Sequence, residues 1–120
     1  MPTPNGAFKK NLSQSSELNI TVTGRKSGRA ITIPVWFVLE DDTLYLLPVE
    51  GTHTQWYKNV LKNPAVRINA GGAEAELKVV SITDAKRVAS VVEKFRGKYG
   101  NNDVKKYYSK FDVTIFTQLQ

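Results

Sequence analysis

The segment Gly24-Arg25-Lys26-Ser27-Gly28-Arg29 gathers three cations, a hydroxyl and two glycines into six consecutive residues. Residues 18–23 before it alternate as a strand does, and residues 30–39 after it are rich in β-branched and aromatic side chains. The six residues therefore make a tight strand-to-strand loop. Glycine permits positive φ and close approach to the backbone. The cations and free N–H groups suit a phosphate. The same composition also makes a solvated hairpin tip that keeps a protein soluble, and spacing alone leaves both readings open.

Other chemistry is sparse. There is no cysteine, hence no disulfide and no thiolate nucleophile. A lone histidine, His53, does not make a dedicated zinc site. It could donate a proton near neutral pH, but a loop histidine reads more simply as surface. Glu74 and Glu76 share one strand face and read as solvated rather than as an acid/base pair. No Ser-His-Asp or Cys-His constellation is present, so the catalytic side-chain set is empty and any redox chemistry must belong to a cofactor. Trp36 and Trp56 read as rim packing or as ring-stacking surfaces. Asn59 follows Trp56 by three residues, which puts both on one helical face against a shared ligand. Tyr99, Tyr107, Tyr108 and Phe111 form an aromatic cluster that reads as packing of a terminal helix. Its functional reading makes Tyr107, Tyr108 and Phe111 a wall for a substrate.

Bulk properties narrow the class. The 120 residues suit one domain, 1–120 with a loose tail over 1–6, and 41% hydrophobic with 23% charged residues is ordinary for a globular fold. No apolar run approaches membrane-spanning length, and the polar start lacks a signal-peptide pattern, so a cytoplasmic protein is expected. The net charge of +6 points to an anionic partner. The cations are scattered through every segment, which favours a local anion pocket over a nucleic-acid face.

The elements that must position these residues follow from periodicity and turn chemistry. Residues 7–17 read as a short helix or coil. Strands are expected at 18–23, 30–39, 43–48, 65–70, 73–82 and 112–117, with helices at 55–62, 84–96 and 103–108. Thr52 or Thr54 can cap the first of these helices, with Trp56, Val60 and Leu61 on one side, and Asn63-Pro64 ends it. Thr83 or Asp84 caps the second, and 97–100 is a break. Six strands in hairpins with few helices predict a mainly β fold, a six-stranded antiparallel barrel flanked by helices.

Two separated motifs in order then resemble a known family. Thr23-Gly24-Arg25-Lys26-Ser27-Gly28 with Pro34, followed by Trp56-Tyr57-Lys58-Asn59-Val60-Leu61-Lys62-Asn63-Pro64-Ala65-Val66, is similar to the deazaflavin-dependent nitroreductase family. That family belongs to the split β-barrel flavin and deazaflavin oxidoreductases, relatives of pyridoxamine 5'-phosphate oxidase. The resemblance spans roughly residues 18–70. It implies that Arg25, Lys26, Ser27, Gly28 and Arg29 hold the phosphate or acidic tail of coenzyme F420 or FMN. Pro34, Val35 and Trp36 would lie along the ring, with Gly51, Thr52, Trp56 and Asn59 completing the site. It also implies a homodimer. Ile31 stands where the family often has a further arginine, and Glu50 lies in a loop that often carries a lysine, so the choice between F420 and FMN stays open.

The sequence therefore predicts a cofactor-binding oxidoreductase that passes hydride or electrons between reduced F420 or FMN and a small organic acceptor. A non-catalytic flavin- or deazaflavin-binding module is the first alternative, and a small basic nucleic-acid-binding barrel the second. No membrane span and no specific nucleic-acid partner are expected under the leading reading.

Overall fold

Alternation of Leu18, Ile20 and Val22 with Asn19, Thr21 and Thr23 gives a strand one apolar face. In the computed structural model, which describes residues 10–119, those three apolar residues are the buried ones. A helical segment over residues 10–13, α1, precedes this strand. The expected tail at 1–6 lies outside the described residues, as does the start of the expected 7–17 element.

The strands are β1 (Leu18–Thr23), β2 (Ala30–Val35), β3 (Phe37–Glu40), β4 (Thr43–Leu46), β5 (Ala65–Ala70), β6 (Ala73–Lys78), β7 (Val80–Ile82) and β8 (Thr114–Gln118). The remaining helices are α2 (Gln55–Lys62), α3 (Ala85–Tyr99) and α4 (Asn101–Tyr107), with a 3-10 turn at Gly51–His53. The strands form two four-stranded antiparallel sheets, ordered β2-β1-β5-β6 and β3-β4-β8-β7.

The expected six-stranded barrel is corrected in two respects. The run 30–39 is two strands because the chain bends at Trp36, and the run 73–82 is two because it bends at Val79. Each bend carries the chain from an outer strand of one sheet to an outer strand of the other. The two sheets are thus joined by covalent corners. No closed, hydrogen-bonded barrel forms among the described residues. At the first corner the Trp36 ring stacks on Tyr99, with centroids 4.1 Å apart and planes 8° apart. The Tyr99 hydroxyl accepts from the Phe37 N–H at 3.0 Å and lies 2.6 Å from the Ser16 carbonyl and 2.9 Å from that of Phe37. One phenol therefore satisfies backbone groups that the bend takes out of the ladder.

Turn chemistry sets the hairpins. Asp41 and Asp42 both take positive φ, 47° and 64°, between β3 and β4. Gly71 and Gly72 do the same between β5 and β6, at 58° and 89°. Two consecutive left-handed residues match the twist of the flanking strands. Helix α2 matches its expected span, but Leu61 is 58% exposed and the buried residues are Trp56, Tyr57, Asn59 and Val60. Thr54 occupies the N-cap position, yet its hydroxyl accepts from the Glu50 N–H at 2.8 Å instead of capping. Asp84 caps α3 by accepting from Arg87 N–H at 3.1 Å. That helix runs through Gly97 and stops at Gly100, whose φ is 94°.

The core lies in two places. Ile20, Ile68, Phe37, Leu44 and Ile115 meet between the sheets. Val88, Val92, Phe95 and Val104 of α3 and α4 cover Val38 of β3 and Leu47 just after β4. Each fully buried side chain of this kind contributes about 1.5–3 kcal/mol. That packing fixes α4 beside the Trp36 corner.

Candidate functional site

The basic loop closes on itself through Gly24 N–H to the Arg29 carbonyl at 2.8 Å and Gly28 N–H to the Gly24 carbonyl at 2.9 Å. Gly28 takes φ 71°, which a side chain would resist. Ser27 Oγ accepts from Arg29 N–H at 3.2 Å, fixing the turn. Arg25 does not point freely outward. Its N–H and Nη1 both donate to Asn59 Oδ1, at 3.1 and 2.8 Å, and Nη2 donates to Gln55 Oε1 at 2.8 Å. Lys62 Nζ donates to the Arg25 carbonyl at 3.2 Å. Arg25 and Asn59 thus tie the loop to α2. Lys26 and Arg29 are exposed with no side-chain partner among the described residues, and the N–H groups of Lys26 and Ser27 have no protein acceptor there either. Those amides and two cations are the part of the loop open to an anion.

A second loop, 49–54, is tied to the segment after α4. Ser109 N–H donates to the Val49 carbonyl at 2.8 Å, and the backbones of Glu50 and Lys110 pair as a single parallel β-bridge. Asp112 accepts from Thr52 N–H at 2.9 Å and from its hydroxyl at 2.8 Å. Gly51, at φ 56°, leaves room for that carboxylate, which a Cβ would overlap. Burial alone would raise the Asp112 pKa, but the Thr52 hydrogen bonds and nearby Lys110 outweigh it and hold the carboxyl below its usual range. Gly51 and Thr52 are therefore engaged with Asp112, and neither lines the cavity described next.

That cavity encloses about 450 Å³. Ile33, Pro34, Val35 and Trp36 form one wall from β2 and its corner. Leu47, Val49 and Trp56 form another, and Tyr107, Tyr108 and Glu17 complete it. Trp56 is 6% exposed and Tyr108 5%, and both line the cavity. Burial, with a smaller contribution from Tyr99, pushes the Tyr108 hydroxyl up, so it remains a neutral donor.

The expected ring-lining residues Pro34, Val35, Trp36 and Trp56 come together here with Tyr107 and Tyr108. Asn59 does not reach the cavity because its amide holds Arg25. Phe111 is also elsewhere: it stacks on Tyr108 at 6.1 Å and lines a groove with Val88 and Val92. Glu17, Ile33, Leu47 and Val49 were not expected. Alternation with Pro34 could have pointed to Ile33, whereas nothing local marks Glu17, which reaches the site only through the fold. Gln55 and Asn59 flank Trp56 on α2, so one helix links the basic loop to the cavity.

Residues 9–114 match the sequence profile of a family described as an uncharacterized protein conserved in bacteria, DUF2255. The chain belongs to that family. No curated protein matches this DUF2255 chain in sequence. Its fold is similar to that of the F420-H2 dependent reductase FDR-A, at 18% identity over 86% of this chain and 94% of the other, with a TM-score of 0.66. It is also similar to HutZ, a heme storage protein from Vibrio cholerae, at 15% identity over 96% and 89% of the two chains and a TM-score of 0.70. A structure described as a domain-swapped dimer aligns over 97% of this chain and all of the other at 15% identity, with a TM-score of 0.68. At these identities the DUF2255 chain shares an architecture with all three.

Proposed function

We propose that the protein is an oxidoreductase of the deazaflavin-dependent nitroreductase type, holding coenzyme F420 or FMN and passing hydride or electrons to a small organic acceptor. The observation that carries this reading is the pairing of an aromatic cavity with an open basic loop at two faces of α2. Lys26, Arg29 and the amides of Lys26 and Ser27 would hold a phosphate or acidic tail. Pro34, Val35, Trp36 and Trp56 would wall the ring system, beside Tyr107 and Tyr108. When bound, such a cofactor supplies the redox chemistry. The chain binds, orients and keeps water from the reacting face.

The same reading makes the protein a cytoplasmic homodimer. Strand β2 has no buried residue, and it exposes Ile31 and Pro34. A twin covering that edge removes apolar surface from water.

The test is titration of F420 and of FMN into the purified protein while following tryptophan fluorescence. Quenching by one of them, weakened in Trp56→Leu and in a Lys26→Ala/Arg29→Ala double variant, is expected. Quenching by neither, together with tight oligonucleotide binding at physiological salt, overturns the proposal in favour of a nucleic-acid protein.

A further inference from the structure

The cavity is one-sided in charge. Its walls hold four aromatic rings, from Trp36, Trp56, Tyr107 and Tyr108, and one carboxylate, Glu17, and no lysine or arginine lines it. Glu17 has no ion-pair or hydrogen-bond partner among the described residues. In a chain with net charge +6, a carboxylate with no partner among the described residues, on a lining that otherwise holds no charged side chain, is a local reversal of sign.

The rings are also set as walls rather than as a stack. Tyr107 meets Trp36 at 77° with centroids 5.5 Å apart, and Tyr108 meets it at 56° and 6.0 Å. Rings at such angles enclose a concave corner into which several π faces can turn. Each face carries the negative part of an aromatic quadrupole, which attracts a cation within about 6 Å of the ring centre. Neighbouring ammonium groups already use this attraction. Lys98 Nζ lies 5.1 Å from the Tyr99 centroid, and Lys106 Nζ lies 5.3 Å from that of Tyr107. Neither lysine lines the cavity.

We infer that the corner formed by Trp36, Tyr107, Tyr108 and Glu17 selects a compact organic cation, a quaternary or tertiary ammonium, as the recognised group of the substrate. Binding of the cation stands on the cavity alone. Its assignment to the electron acceptor rests on the function proposed above. The aromatic faces provide the attraction, and Glu17 adds a charge partner at the rim. A neutral group of the same shape would fill the cavity without either contribution.

The experiment uses cofactor-free protein and two probes of one shape: choline, and its uncharged isostere in which a quaternary carbon replaces the nitrogen. Affinity is read by tryptophan fluorescence and by calorimetry. Choline is expected to bind at least about fivefold more tightly than the isostere, the range that cation–π attraction supplies. Glu17→Gln and Tyr107→Leu, both at exposed positions, are expected to reduce that preference without shifting the melting temperature. A preference below about fivefold, or one untouched by both substitutions, overturns the inference. Titrations of F420 and FMN are run separately on the same preparation, so failure of the cofactor reading and failure of the cation reading give different results.

Discussion

Arg25 and Asn59 are joined by two hydrogen bonds to a single oxygen, one from the arginine backbone and one from its guanidinium, at 3.1 and 2.8 Å. An arginine in a basic loop reads as an anion ligand, but this one is a tether to α2. Asn59→Ala removes the acceptor shared by the Arg25 N–H and Nη1, leaving only the Gln55 bond, and is expected to lower stability by about 1–3 kcal/mol. Arg25→Ala should fall in the same range, whereas Lys26→Ala and Arg29→Ala should stay within about 0.5 kcal/mol of wild type. Urea unfolding of the four variants decides it. Equal stability of Arg25→Ala and Lys26→Ala removes the tether.

Gly51 offers a sharper probe of the loop before α2. Its φ of 56° and the Asp112 carboxylate beside it leave no place for a Cβ. Gly51→Ala should cost about 2–4 kcal/mol from backbone strain and loss of the Thr52 hydrogen bonds. The Asp112 pKa is depressed, so the stability it contributes is present above the ordinary carboxylate range and is lost as pH falls through its folded value. Thermal melts between neutral and acid pH should therefore show a smaller acid-induced loss in Asp112→Asn than in wild type. Parallel curves for the two proteins would exclude this role.

Lys98 supplies the alkaline counterpart. Its ammonium donates to the Phe37 carbonyl at 2.9 Å and lies 3.5 Å from the Phe37 ring centroid. Burial lowers its pKa from 10.5 to about 8. Between those values the unfolded chain holds the extra proton, so this group makes stability rise with pH across that window. Tyr99 acts in the opposite sense. Burial is the main cause that pushes it from 10.0 to about 12, so the stability it contributes is complete below pH 10 and declines as pH rises toward 12. Lys98→Met should flatten the rise between pH 8 and 10 in thermal denaturation. An unchanged slope refutes the assignment.

Ile31 tests the proposed dimer. It stands on β2 at 41% exposure and its side chain packs in neither hydrophobic cluster. Sedimentation at micromolar concentration should give a dimer for wild type and a monomer for Ile31→Asp, with the circular dichroism of the two alike. A wild-type monomer counts against the pairing.

The hairpins were legible because they depend on local chemistry. Asp41-Asp42 and Gly71-Gly72 announce left-handed turns, and Asn63-Pro64 announces the end of α2. The corners at Trp36 and Val79 were not, because each sits inside a run whose composition favours strand on both sides of the bend. What makes Trp36 a corner is Tyr99, 63 residues away, whose hydroxyl takes the Phe37 N–H. The site divides in the same way. Pro34, Trp36 and Trp56 belong to motifs with recognisable spacing. Glu17 and Val49 enter the cavity through packing, and the bond from Asn59 to Arg25 was not legible because a helical-wheel position does not reveal that a loop will fold down onto it.

Strand β8 lies between β4 and β7, so the second sheet has a gap in its middle until residues 114–118 have been made. The first sheet has no such dependence, since all four of its strands lie within residues 18–78. During synthesis the chain can complete one layer while the β3–β4 hairpin and β7 wait with unpaired edges for a partner that arrives last. The aromatic corner at Trp36 depends on Tyr99, Tyr107 and Tyr108 from the same late stretch, so the proposed site and the pairing of the second sheet draw on the same part of the chain.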